Sequence, residues 1–126
     1  MDYTKDYIIT KINDQTIKLS PSQNKLSLPI IERITRKMKF GIRFDDIKIE
    51  KGLIIDGHHR YISSLIAGIE LKSIVSARTT ATIEYNWESV NFVNEEWDTL
   101  EKIVLLNEKD AHYNNLSIEK INEIIK

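Results

Sequence analysis

One nine-residue stretch constrains this chain more than any other: Leu53-Ile54-Ile55-Asp56-Gly57-His58-His59-Arg60-Tyr61. Leu53 to Ile55 is a short apolar run of the kind that fills a buried strand, and Asp56-Gly57 ends it with a turn. From His58 to Ala67 the apolar residues Ile62, Leu65 and Ile66 fall at helical spacing, and Gly68 closes the segment. Strand, tight turn and helix therefore follow one another within a few residues. The turn gathers a carboxylate, two imidazoles, a guanidinium and the unpaired N–H groups of a helix start. Such a start attracts anions, because its first N–H groups lack partners and the aligned peptide dipoles are positive there. The stretch predicts a phosphate-handling loop in an α/β (α+β) domain.

Each residue of the loop has a chemical reading and a plainer one. Arg60 offers a planar fork that fits two phosphate oxygens at once, or is a surface arginine on a helix. Gly57 permits positive φ and lets a phosphate approach bare backbone, as any Asp-Gly turn would. His58 and His59 are adjacent, so they diverge on a helix and do not ligate one metal together. An imidazole there either touches phosphate and shuttles a proton to a leaving oxygen or packs as a structural residue. Asp56 is either the N-cap of the helix or a carboxylate that holds a divalent metal such as Mg²⁺ or activates water. Catalytic candidates are thus Asp56, His58, His59 and Arg60. Gly57, His59, Arg60, Tyr61, Gln23 and Asn24 are candidates for holding a phosphate or nucleotide, the last two if the loop after Pro21 folds over the site.

Around this loop the 126 residues read as one domain, 1–126, with one core. Residues up to about 12 suggest a strand or an arm. Thr16 to Leu19 suggests a short strand and Ser22 to Ser27 a polar loop. Leu28 to Lys39 reads as a helix with Ile30, Ile34 and Met38 on its apolar stripe, Pro29 in its first turn and Gly41 as its stop. Arg33, Arg36, Lys37 and Lys39 make its other side basic, which serves solvation or meets nucleic acid. Asp46 to Glu50 alternates as a strand does, Lys51-Gly52 is a turn, and Ile69 to Arg78 holds another strand. Thr79 to Tyr85 looks extended. Beyond it, Asp98-Thr99-Leu100-Glu101 resembles a capping box with Asp98 as cap. A helix carrying Leu100, Ile103 and Val104 follows, then a polar, turn-rich Asn107 to Asn115. Ser117 caps a last helix with Ile118, Ile121 and Ile125 on one face. Trp87, Phe92 and Trp97 read as packing aromatics that also have the faces to stack bases. Glu95, Glu96, Asp98, Asp110 and His112 form an acidic-plus-imidazole group on the tail.

Composition narrows the functions further. Formal net charge is −1, so no overall basic field draws in duplex DNA, and a nucleic-acid role needs a local patch. The absence of cysteine excludes disulfides, thiolate catalysis and cysteine-ligated metals. No run is long enough to span a bilayer, and the start lacks the basic-then-apolar pattern of a signal peptide.

Pro21-Ser22-Gln23-Asn24, the Leu28–Lys39 helix, Gly41 and Ile55-Asp56-Gly57-His58-His59-Arg60-Tyr61 followed by Ala67-Gly68 together resemble the ParB/sulfiredoxin-like superfamily. The resemblance covers about residues 16–78, with 79–126 as a C-terminal helical extension. It implies a small mixed sheet with packed helices and a strand-to-helix loop that holds nucleotide or protein phosphates. Sulfiredoxins carry a Gly-Cys-His-Arg loop, ParB proteins a Gly-Glu-Arg-Arg type loop, and some free-serine kinases an Asp-Gly-His-x-Arg loop. Asp56-Gly57-His58-His59-Arg60 looks closest to the last, and to ParB-like modules at the C-terminal ends of bacterial polymorphic toxins. Glu96-Trp97-Asp98-Thr99 and Leu106-Asn107-Glu108-Lys109-Asp110-Ala111 also look like those toxin modules. The early-loop catalytic glutamate of the kinases has no counterpart, since Ser20 to Lys25 holds no carboxylate.

The resemblance implies a small bacterial enzyme acting on a phosphate bond, a ParB-like nuclease or nucleotide-cleaving toxin effector. It implies a cytoplasmic site of action, delivery as part of a larger toxin by a dedicated secretion route, and an immunity protein as partner. A kinase or NTPase using ADP, ATP or CTP and a non-catalytic module for a phosphorylated ligand or a protein partner are the alternatives.

Overall fold

The computed structural model describes residues 3–126. Five α-helices and two small sheets build the described chain: α1 (Lys5–Asn13), β1 (Lys25–Ser27), α2 (Leu28–Lys39), β2 (Ile47–Glu50), β3 (Leu53–Asp56), α3 (His58–Ala67), β4 (Ser73–Val75), β5 (Asn91–Val93), α4 (Leu100–Tyr113) and α5 (Ile118–Ile125). The three-stranded sheet runs β3-β2-β4. β2 and β3 are antiparallel, and β2 and β4 are parallel with α3 as the crossover between β3 and β4. The second sheet is the parallel pair β1 and β5. The class is mixed α/β. Among the described residues, no helix is long and apolar enough to cross a membrane.

Several elements lie where the residue pattern puts them. α2 and α3 match the expected ranges to the residue, and β2, the Lys51-Gly52 turn and β3 follow the alternation. α3 buries Ile62 and Ile66 against α1 and α2 and ends at Gly68 in the left-handed region. α2 is rotated from the expected stripe: Ile31, Thr35 and Met38 face inward, and Ile30 and Ile34 are half-buried.

Other expectations are corrected. Residues 1–2 lie outside the described residues, and where a strand or an arm is expected Lys5–Asn13 is a helix. Thr4 caps it by accepting from the Tyr7 N–H, and Ile8 and Ile12, four residues apart, are both fully buried. The expected strand at 16–19 does not form; only the next residue, Ser20, makes an isolated bridge, to Leu53. The polar loop before α2 contains β1, which pairs with β5 from the stretch 86–96. The strand after Gly68 is limited to β4, and 79–85 forms no strand. Thr99 caps α4 through the Lys102 N–H, so Asp98 is free for other partners. α4 runs on through 107–113, where turns are expected.

Two apolar clusters result. The larger joins Ile8, Ile12, Leu26, Ile31, Ile54 and Ile62 between α1, α2, α3 and the strands. The smaller, Ile42, Ala111, Ile121 and Ile124, fastens α4 and α5 beside α2. Between the two lies an ionic seam. Lys37, only 4% exposed, donates to Asn107 Oδ1 at 2.8 Å and Asp110 Oδ2 at 2.6 Å. Arg33 binds Glu96 and, at 3.1 Å, Asp98. Arg36 pairs with Glu32 and reaches the Ile125 carbonyl. The basic side of α2 is therefore mostly an internal docking surface for the extension, where the sequence offers solvation or nucleic acid.

A buried ion pair is costly to break from one side, because the remaining charge keeps its desolvation without its partner. Lys37→Met is expected to lower unfolding free energy by about 3 kcal/mol in urea titration. An unchanged midpoint would contradict the seam's structural role.

Candidate functional site

β3 ends at Asp56, Gly57 adopts φ +99°, and α3 begins at His58 with Gly57 as its N-cap. No side chain caps this helix, so Asp56 is not the cap that one reading of the sequence makes it. Its carboxylate stands 62% exposed beside Arg60. Gly57 is required twice over. Its φ is one that L side chains rarely adopt, and a Cβ there would lie 2.6 Å from Ile47 Cγ2 and 2.8 Å from Arg60 Nη2. The bare side of the glycine is thus filled from within by Ile47 and by the Arg60 guanidinium laid across it.

The two histidines face inward and grip backbone. His58 is 2% exposed, and its Nε2 accepts the Ser22 N–H at 2.9 Å. His59 Nε2 accepts the Ser27 N–H at 3.0 Å, and its ring meets Trp97 edge-on at 5.4 Å. A backbone N–H can only donate, so both Nε2 atoms are unprotonated and each neutral ring carries its proton on Nδ1. Burial pushes both well below the ordinary value of 6.5, to about 4. The neighbouring His59 adds to this at His58 while Asp56 opposes it. At His59 the Asp98 carboxylate opposes burial and Arg33 reinforces it. Ser27 is a junction: fully buried, it also accepts from the Ile30 N–H, capping α2, and donates to the Glu95 carbonyl at 2.7 Å.

Tyr61 is buried and stacks on Trp87 at 6.0 Å, and burial raises its hydroxyl pKa. It belongs to the core and is not presented to a ligand. Gln23 and Asn24 are exposed next to Ser22. Trp87 and Phe92 pack as the aromatic pattern suggests, with Trp87 Nε1 donating to the Leu19 carbonyl at 2.7 Å.

Of the loop residues, Arg60 is the one that lines a cleft, a space of about 150 Å³ between α2, the Arg43–Asp45 segment and α4. Its guanidinium is only loosely held: Nη2 is 3.4 Å from the Asp46 carbonyl and 3.6 Å from Asp56 Oδ2, and Nε is buried without a partner. The other cations of α2 in this cleft, Arg33 and Lys37, are closely paired. Nε is closed off from an incoming anion, so the donors Arg60 can offer are those of Nη1 and of the loosely held Nη2. The loop is brought together as one corner, but its parts diverge in role: His58, His59 and Tyr61 point inward, and Arg60 and Asp56 face outward.

Among the described residues, no group of three or more His, Asp or Glu side chains is placed to hold a metal ion by itself. The exposed Asp56 carboxylate stands beside the Arg60 guanidinium, at 3.6 Å. Comparison with protein-family models, with curated proteins and with solved structures finds no significant match.

The histidines carry a pH signature. The folded imidazoles bind protons more weakly than the unfolded ones, so the stability they contribute is whole above pH 6.5 and is lost as pH falls toward 4. Between pH 7 and pH 5 the two together are expected to remove roughly 3–4 kcal/mol of unfolding free energy, read by urea titration at each pH. His59→Gln keeps an acceptor for the Ser27 N–H and should halve the slope. A flat profile would contradict the neutral-acceptor assignment.

Proposed function

We propose that this domain holds the phosphate of a nucleotide or nucleic-acid strand at Arg60 and hydrolyses a phosphate bond there, in the manner of the ParB-like nuclease modules it resembles. The observation that carries this reading is Arg60 itself: an under-partnered guanidinium, steadied over Gly57 at the uncapped start of α3, at the wall of a cleft. The Asp-Gly turn from β3 into α3, and the return of β4 parallel to β2 on the far edge of the sheet, support the ParB/sulfiredoxin-like topology behind it.

The chain's own residues divide the work. Arg60 binds two phosphate oxygens and meets the charge that develops as the phosphorus is attacked. Asp56 takes the proton from the attacking water. The water oxygen bonds to phosphorus, the bond to the leaving oxygen breaks, and that oxygen is protonated from solvent. Mg²⁺, held by Asp56 and the ligand phosphate, would supply further charge neutralisation. His58 and His59 are positioning residues: with Nε2 engaged and protonation displaced to about pH 4, they fix the corner and do not shuttle protons at neutral pH. That same commitment of both imidazoles favours one second reading, a non-catalytic module that binds a phosphorylated ligand.

The test incubates the full chain with nucleoside triphosphates, single-stranded RNA and DNA, and plasmid, with and without Mg²⁺. Strand shortening marks a nuclease and terminal phosphate release an NTPase. Arg60→Ala is expected to lower the rate by about 10²-fold or more, and Arg60→Lys should recover little because the fork is lost. Asp56→Asn should lose turnover but keep binding. Saturable binding without cleavage would select the binding module, and full activity in Arg60→Ala would remove Arg60 from the site.

A further inference from the structure

Residues beyond the loop share the cleft with Arg60 and suggest what enters it. Lys109 and Tyr113 lie four apart on one face of α4, with Leu106 and Asp110. Opposite them run Arg43 and Phe44. Arg43 is held by a reciprocal pair of bonds, its N–H donating to Asn114 Oδ1 at 2.7 Å and its carbonyl accepting from Asn114 Nδ2 at 3.1 Å. Its guanidinium lies 5.7 Å from the centre of the half-exposed Tyr113 ring. The carboxylates Asp98 and Asp110 at the cleft are engaged by Arg33 and Lys102 and by Lys37, while Asp45 also lines the wall. Among the described residues Arg43 and Lys109 have no side-chain carboxylate partner and Arg60 has only the loose contact to Asp56 at 3.6 Å, so three weakly paired cations line one opening, with the Tyr113 ring beside Arg43.

Size narrows the ligand. A cleft of about 150 Å³ admits a phosphate and the sugar or ring attached to it, with the remainder projecting through the open side. A duplex, far wider than this opening, keeps its stacked bases away from Tyr113 and its rigid backbone away from Arg60, which is only 24% exposed. An unpaired nucleotide can place its phosphate on the cations and turn its base onto the ring.

We infer that the extension completes the Arg60 site: the cleft between α2 and α4 is a single-nucleotide chamber in which Arg60, Arg43 and Lys109 hold the phosphate and Tyr113 stacks the base. This rests on the Arg60 reading above and adds ligand class and three residues, Arg43, Lys109 and Tyr113, to it. The unpaired unit is either a free mononucleotide or the end of a single strand.

Calorimetric titration of the full chain separates these. The probes are inorganic phosphate, the four ribonucleoside monophosphates, a 5′-phosphorylated single-stranded oligonucleotide and its duplex. Mononucleotides should bind more tightly than phosphate and with little base preference. Stronger binding of the oligonucleotide than of mononucleotides identifies strand ends as the source, and equal binding identifies free nucleotides. Tyr113→Ala should weaken nucleotides about tenfold while leaving phosphate unchanged, and Tyr113→Phe should restore them. Lys109→Ala should weaken phosphate and nucleotides alike. Tyr113 and Lys109 are exposed enough for the variants to fold, checked by their melting temperatures. Nucleotide affinity unchanged in Tyr113→Ala but lost in Arg60→Ala overturns the chamber and leaves the Arg60 reading intact. Affinity unchanged in Arg60→Ala overturns both, as does the absence of binding by the mononucleotides and the single-stranded oligonucleotide alike. A duplex bound more tightly than the single strand overturns the chamber.

Discussion

Two neutral imidazoles hold this fold at the turn from β3 into α3. By accepting the Ser22 and Ser27 N–H groups, His58 and His59 tie the loop after α1 and the strand β1 to the first turn of α3. Ser27 passes that restraint on to the start of α2 and to Glu95 of the extension. The price is two desolvated bases and a buried His58 Nδ1–H without a partner. In return, α3 begins at a fixed place, and the third residue of that turn is set over Gly57 with its guanidinium outward.

The extension is fastened by charge as much as by apolar contact. Lys37 and Arg33 leave water to meet Asn107, Asp110, Glu96 and Asp98, and only the small Ile42–Ala111–Ile121–Ile124 cluster packs beside them. Such pairs add little net stability compared with apolar substitutes, but they penalise any other seating of the helix. That specificity matters here, because the seating of α4 decides whether Lys109 and Tyr113 face Arg60. Arg60 differs from its neighbours in being left loosely partnered, the electrostatic condition under which an anion can be bound without first breaking an internal pair.

Much of this was legible in the residues, and the rest was hidden for physical reasons. α2 and α3 announce themselves through helical spacing and terminal glycines, and the Leu53–Tyr61 corner through its turn chemistry. α1 was readable from Thr4 and the Ile8–Ile12 spacing, but scattered polar residues blurred the stripe. β1 and β5 are three residues each and pair across more than sixty positions, so neither has a local signature. The inward turn of both histidines was invisible, because their partners are backbone N–H groups that any residue could provide. The destination of the basic α2 face was readable in principle, since the tail carries matching acids, but spacing alone cannot say which of the many opposite charges meet.

The central claim is that the Gly57–Arg60 corner, fixed from inside by neutral histidines, receives a phosphate from outside. Amide NMR of the full chain during titration with a mononucleotide tests it most directly. The account predicts that the backbone signals of Gly57, His58, His59 and Arg60 move together along one saturation curve, while both imidazoles keep their proton on Nδ1. Saturable shifts centred elsewhere, with these four signals still, would contradict it.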